Sequence, residues 1–202
     1  MNYHNRVIFI AICLFCTFGV CAQSNLPAWN TERLQHTRNA MWVLGGWASA
    51  NVLVGAIGLA RAKTPQNRAF HQMNLGWGVI NLSLAASGIW TATHTDPAQL
   101  DWLQSMNAQQ KLQRIFLLNA GLDVGYIMAG AWMQERAGNV TKNSDRLRGF
   151  GRSIALQGAF LFVFDLGAYF YHTRLDAGLK PLLPAHSSIG ATENGLGVVI
   201  RF

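Results

Sequence analysis

Apolar runs alternate with short polar connectors along most of the chain. Four runs stand out: Met41 to Ala60, Met73 to Ala92, Leu112 to Met133 and Ser153 to His172. Each has about the length an α-helix needs to cross the hydrocarbon core of a bilayer. The first two hold no charged residue, and neither leaves a polar face wide enough for a helix in water. The pattern predicts an all-α fold: four transmembrane helices, up and down, within residues 23–172. A soluble four-helix bundle is the competing fold.

The flanks predict the element ends. Residues 23–40 are polar, and Asn30-Thr31-Glu32 reads as an N-cap and first helical turn. Thr64-Pro65 gives a turn or cap before the second run. Asp96-Pro97 reads as an N-cap with proline at the first helical position. Trp102, Leu103 and Met106 then share a face at helical spacing, as in an interfacial helix feeding the third run. Residues 173–202 include Gly178, Pro181, Pro184 and Gly190, which break a helix. That composition predicts an irregular tail, with Gly195 to Phe202 as a short strand or extended apolar end. One such segment without a series of alternating strands does not make an outer-membrane barrel.

The start of the chain has its own pattern. Arg6 precedes an apolar stretch, and Val20-Cys21-Ala22 forms a small-residue cleavage site before Gln23. Residues 1–22 therefore read as a signal peptide. All three cysteines lie within it. Cleavage would remove them and exclude thiol catalysis, cysteine-ligated zinc and disulfides. Lipidation at Cys21 is the alternative, but Phe18-Gly19-Val20 is a poor recognition sequence for it.

Charge sharpens the topology. Only 12% of residues are charged, and the net charge is +7. The basic residues sit in connectors. Arg61, Lys63 and Arg68 lie in residues 61–72; Arg136, Lys142, Arg146, Arg148 and Arg152 lie in residues 134–152. The connector 93–111 carries Lys111 against Asp96 and Asp101. Positive charge marks the cytoplasmic side, so both chain ends fall outside. A cleaved signal peptide requires the same orientation. This arrangement assigns the basic residues to topology and leaves no nucleic-acid partner expected. Arg146, Arg148 and Arg152 could also meet anionic lipid heads.

Each run carries a polar residue near its middle: Asn51, Asn81, Asp123 and Asp165. Four positions earlier stand Trp47, Trp77, Asn119 and Leu161; seven later stand Gly58, Gly88, Gly130 and His172. Those spacings share one helical face. Gln157, eight before Asp165, lies on it too. A hairpin duplicated once would give this frame. The candidate site is therefore Asn51, Asn81, Asn119, Asp123, Gln157 and Asp165. Such groups hydrogen-bond between helices in lipid and hold a bundle together. Alternatively, Asp123 and Asp165 form a carboxyl pair suited to a proton relay or cation site, because two carboxyls in a dry place do not both ionise easily.

Of the six histidines, only His94 and His172 end runs at a matching depth, as bis-histidine haem would require. A histidine anchoring a helix end is the simpler reading. No HExxH, phosphate loop, GxSxG or acid–histidine zinc pattern occurs. Neither cofactor nor metal is expected, and no enzymatic activity.

The segments FHQMN (Phe70 to Asn74), NAGLDVGYI (Asn119 to Ile127) and RLRGFGRSIALQGAFLFVFD (Arg146 to Asp165) resemble an uncharacterised family of small bacterial membrane proteins. That family carries only a domain-of-unknown-function label. The resemblance extends over about residues 35 to 175. It implies a four-helix integral membrane domain without an assigned activity, and it carries over no catalytic residue.

The leading expectation is a non-enzymatic bundle in the bacterial inner membrane. Its partners would be the lipid bilayer and, through small and amide residues, a second copy or other membrane helices. A small transporter or proton/cation conduit is the alternative, and an intramembrane lipid or haem binder the second alternative.

Overall fold

The computed structural model describes residues 3–179, 186–192 and 195–201, with side chains described for 26–178. The helices are α1 (Tyr3–Arg61), α2 (Pro65–His94), α3 (Trp102–Gly138), α4 (Ser144–Thr173) and the single turn α5 (Asp176–Leu179). The four long helices correspond to the four apolar runs, each extended beyond its run. The segments Leu26–Arg61, Trp102–Gly138 and Ser144–Gly178 are long and apolar enough to cross a membrane. Among the described residues that makes three such helices where the sequence predicted four. α2 is long enough but carries Asn74, Asn81, Ser83, Ser87, Thr91 and Thr93.

The expected helix start at Asn30 is not there. α1 runs through it, with Pro27 inside the helix. Thr31 Oγ1 donates to Pro27 O at 2.8 Å, as a helical hydroxyl does one turn back. The helix persists because Leu26, Trp29, Asn30, Arg33, Ala40, Leu44, Ala48 and Asn51 form one buried stripe at steps of three, four and seven. The signal-peptide features fall on residues whose side chains lie outside the described ones.

The second helix begins as expected. Thr64 caps it, accepting from Asn67 N at 3.2 Å, with Pro65 at the first position. The third does not. Asp96 makes only a local turn, accepting from Ala98 N at 2.9 Å. The cap is Asp101, in a reciprocal box with Gln104. Asp101 accepts from Gln104 N at 2.7 Å, and Asp101 N donates to Gln104 Oε1 at 3.0 Å. Both amides at this helix start are thereby satisfied. No separate interfacial helix precedes α3. Trp102 and Met106 turn inward against Leu26, Trp29 and Leu175, while Leu103 is exposed.

The chain folds as two antiparallel helix hairpins. In the first, Gly55 of α1 lies against Leu75 of α2, and Gly78 of α2 against Ala48 and Val52 of α1. In the second, Gly130 of α3 lies against Gly151 and Ala155 of α4, and Gly158 of α4 against Asp123 and Ile127 of α3. α2 and α4 join the hairpins and run parallel, with Gly149 close on Gln66 and Ala69. Small residues bring the backbones together at each crossing.

The tail is more ordered than its composition suggested. The turn α5 packs back on the bundle, where Trp29 Nε1 donates to Leu175 O at 3.0 Å. Beyond it, β1 (His186–Thr192) and β2 (Gly195–Arg201) pair antiparallel, from His186 opposite Arg201 to Thr192 opposite Gly195. The short strand expected near the end is therefore present and has a partner strand. Phe202 lies outside the described residues.

Polarity is distributed inside out. The interior holds alanines with Asn51, Asn74, Asn81, Asp123, Gln157 and Asp165. Large apolar side chains face outward, among them Trp42, Leu53, Leu118, Met128 and Val163.

Candidate functional site

The six candidate residues all lie on inward-turned positions. Five of them divide into two groups, and three side chains not among the candidates complete the first. Gln157, wholly buried on α4, is the hub. Its amide donates to Asn51 Oδ1 of α1 at 2.7 Å and to Asn74 Oδ1 of α2 at 3.1 Å. Its carbonyl accepts from Trp47 Nε1 at 2.9 Å. Asn51 Nδ2 in turn donates to Trp47 O at 2.8 Å. Ser153, one turn before Gln157, donates its hydroxyl to Asn74 Oδ1. Every polar atom of Gln157 is thus engaged, which is the condition for an amide to stabilise rather than weaken a buried contact. The stacking of Trp47 on Phe160, with centroids 4.0 Å apart, fixes the indole that reaches Gln157.

The second group is the carboxyl pair. The side chains of Asp123 on α3 and Asp165 on α4 adjoin, and Asn119 lies beside Asp165. An ionised carboxylate only accepts, so a bond between two carboxyls needs a proton on one of them. Both are buried, at 2% and 5% exposure. Gly158 makes the approach close: a Cβ there would stand 2.9 Å from Asp123 O. Asp123 Oδ2 keeps no hydrogen-bond partner.

Asn81 belongs to neither network. It is buried on α2 and its Nδ2 has no partner. Trp77, one turn away, meets Tyr126 of α3 edge-on with centroids 5.0 Å apart. Because α2 and α3 are antiparallel, this contact sets Asn81 level with Asp123. An unpartnered donor and an unpartnered acceptor therefore lie at one depth.

His94 and His172 do not share a site. His94 is exposed and stacked on Trp90, with centroids 3.8 Å apart. His172 is enclosed beside Phe116. The histidine that does come to His172 is His36, with centroids 6.2 Å apart. Among the described residues, no group of three or more His, Cys, Asp or Glu side chains is placed to hold a metal.

Two signals could have found the missed members of the first network. Ser153 and Gln157 are one turn apart on α4, and Asn74 and Asn81 are two turns apart on α2, so each pair shares a face. Trp47 stood in the repeated frame as an apolar residue; its indole N–H is what the network uses.

No curated protein and no solved structure matches the chain. A family model described as a family of unknown function (DUF6992) matches residues 43–166, which spans both hairpins and both polar groups. That match takes in more than half of the chain, and the chain belongs to this family.

Proposed function

We propose that the protein is a multi-pass component of the bacterial inner membrane, a non-enzymatic helix bundle with a structural or partner-binding role. The observation that carries this reading is the inverted polarity: large apolar side chains outside, amides and carboxyls inside. In water such faces would be an extensive exposed patch; in lipid they are the solvated surface. α2 is the fourth span. Its hydroxyls are already bonded within the helix: Ser83 donates to Val79 O at 2.9 Å and Thr93 to Ile89 O at 2.7 Å. Such back-bonding lowers the cost of placing them in hydrocarbon.

Residues 1–22 serve as a cleaved signal peptide, and both ends of the mature chain are extracytoplasmic. The basic connectors around Lys63 and Lys142 face the cytoplasm. Single cysteines at Lys63, Gln99 and Lys142 test this, with the three native cysteines replaced. A membrane-impermeant maleimide should label only Gln99→Cys in intact cells. Labelling at residues 63 and 142 with protection at 99, or release of the protein from membranes by alkaline carbonate, would overturn the reading.

A second reading has one specific observation in its favour, the meeting of Asp123 and Asp165. A buried carboxyl pair at mid-bundle is the kind of group a proton or cation conduit uses. Proteoliposomes containing the wild-type chain should then show a flux that Asp123→Asn and Asp165→Asn abolish. No flux above empty vesicles would leave the structural reading standing.

A further inference from the structure

Among the described residues, nine buried side-chain polar atoms lack a hydrogen-bond partner, and six of them lie at the end of the bundle that carries the α2–α3 connector. They are Arg33 Nε and His36 Nδ1 of α1, Trp102 Nε1 and Gln109 Oε1 of α3, and both ring nitrogens of His172 on α4. Native interiors leave few such atoms. Six in one neighbourhood imply an occupant that bonds to them.

The framework of that neighbourhood is tightly held. His36 stacks on Tyr171 with centroids 3.8 Å apart and meets His172 edge-on. Phe116 covers the other side of His172. Asn30 Nδ2 donates to Ser105 Oγ at 2.9 Å, tying α1 to α3. Gln109 Nε2 donates to His172 O at 2.7 Å and to Asp176 Oδ1 at 3.0 Å, tying α3 to α4 and α5.

The charge is unbalanced. Arg33 is 3% exposed. Its guanidinium has one long hydrogen bond, to Asn30 Oδ1 at 3.4 Å, and stands 5.9 Å from the Trp29 ring. Among the described residues no carboxylate pairs with it; Glu32 Oε1 instead lies 3.8 Å from His36 Nε2. The other acid of the cluster, Asp176, is taken up by Gln109 and Gln113. A buried guanidinium without an anion is costly.

We infer that this cluster binds an oxyanion, a carboxylate or phosphate group, held by Arg33, His36 and His172 with Trp102 as a further donor. A guanidinium fork suits such groups, and imidazole and indole N–H bonds complete their acceptor demand. A cation would face Arg33, and an apolar ligand would leave the nitrogens unpaired. Gln109 Oε1 is the one obligate acceptor of the set and meets a protonated oxygen of the ligand or a neighbouring N–H.

The group can come free from solution or on the headgroup of a lipid, and one experiment separates the two. The purified full chain is heated in detergent with increasing inorganic phosphate, or with acetate, at constant ionic strength set by chloride. In parallel it is heated in nanodiscs of phosphatidylcholine with and without phosphatidylglycerol. The expected result is a saturable rise in Tm of several degrees at about 100-fold above half-saturation. A rise with phosphate or acetate identifies a free oxyanion; a rise with phosphatidylglycerol alone identifies the headgroup. Arg33→Gln should remove the response, and His36→Gln, at a less enclosed position, should raise the half-saturation point at least about tenfold. If Arg33→Gln does not fold, His36→Gln decides. No saturable rise with any probe, or a rise unchanged in the folded variants, would overturn the inference and leave the six atoms to bound water.

Discussion

Gln157 of α4 donates its side-chain amide to Asn51 of α1 at 2.7 Å, and so joins the two helix hairpins at the centre of the bundle. The same amide reaches Asn74 of α2, so one side chain bonds to both helices of the opposite hairpin. Few large apolar side chains fill this interior, and its specificity comes instead from polar groups that fit one another. A shift of register would unpair Gln157 from Asn51, Asn74 and Trp47 at once.

Removing the hub should therefore loosen the two hairpins. Gln157→Ala deletes three hydrogen bonds. At about 0.6 kcal/mol for an average interhelical bond in lipid, the loss is roughly 2 kcal/mol. Unfolding in detergent should show a lowered Tm, and limited proteolysis should cut the α2–α3 connector sooner. Gln157→Glu, which keeps the shape but replaces the amide donor, should fall between Ala and wild type. A stability equal to wild type in both would show that the network contributes nothing.

The glycines offer a contrast within one helix. A Cβ at Gly130 would stand 2.6 Å from Ala155 N and from Gly151 O, both backbone atoms that cannot swing aside. Gly130→Ala must push α3 from α4 and should cost about 1–3 kcal/mol. Gly121 and Gly125 of the same helix have nothing within 4 Å of a built Cβ. Alanine there should be neutral or stabilise by up to about 1 kcal/mol through helix propensity. Tm values of the three single variants check the order.

Much of this was legible in the chain, and the failures have a common cause. Periodicity of four, seven and eight found Asn51, Asn81, Asp123, Gln157 and Asp165 as inward positions, because that spacing is a property of one helix. It could not say that Gln157 would choose Asn51 and Asn74, since pairing depends on the rotation of helices against each other. The start of α1 was misread because Asn30, Arg33 and His36 look like connector residues by polarity. They continue the stripe of Leu26, Trp29, Ala40 and Leu44, and that stripe, rather than hydrophobicity alone, sets the helix length. At α3 two Asp residues competed for the cap with the same spacing to a Gln, Asp96 with Gln99 and Asp101 with Gln104, so the pattern did not choose between them; the reciprocal box forms at Asp101.

The carboxyl pair makes a spectroscopic prediction. Two adjoining buried carboxyls do not both ionise easily, so the infrared spectrum at neutral pH should contain a protonated carboxyl band. Either Asp123→Asn or Asp165→Asn leaves an amide that can donate to the remaining carboxylate, and the band should vanish in both. Folding should change by less than about 1 kcal/mol, because the amide keeps a polar contact between the helices. Asp123→Leu and Asp165→Leu remove that contact and should cost more. A band that survives in one single variant would assign the proton to a different group.

The outer face of the first hairpin gives the last test. An open groove of about 590 Å³ lies between α1 and α2, lined by Gly45, Gly46, Ser49, Ala85 and Ala86 and flanked by Trp42 and Trp90. In lipid, a groove with a floor of small residues admits a neighbouring helix closely enough for van der Waals contact to hold it. If the bundle associates with a second copy of itself, this is the surface that accommodates it. Gly46 isolates the effect, since nothing in the bundle lies within 4 Å of a Cβ built there. Gly46→Leu should leave the monomer as stable as wild type or slightly more so, because leucine favours a helix over glycine by up to about 1 kcal/mol. The same side chain fills the groove. Cross-linking in membranes and light scattering in detergent should therefore show the dimer reduced with folding intact. A dimer unchanged by Gly46→Leu would move self-association to another face.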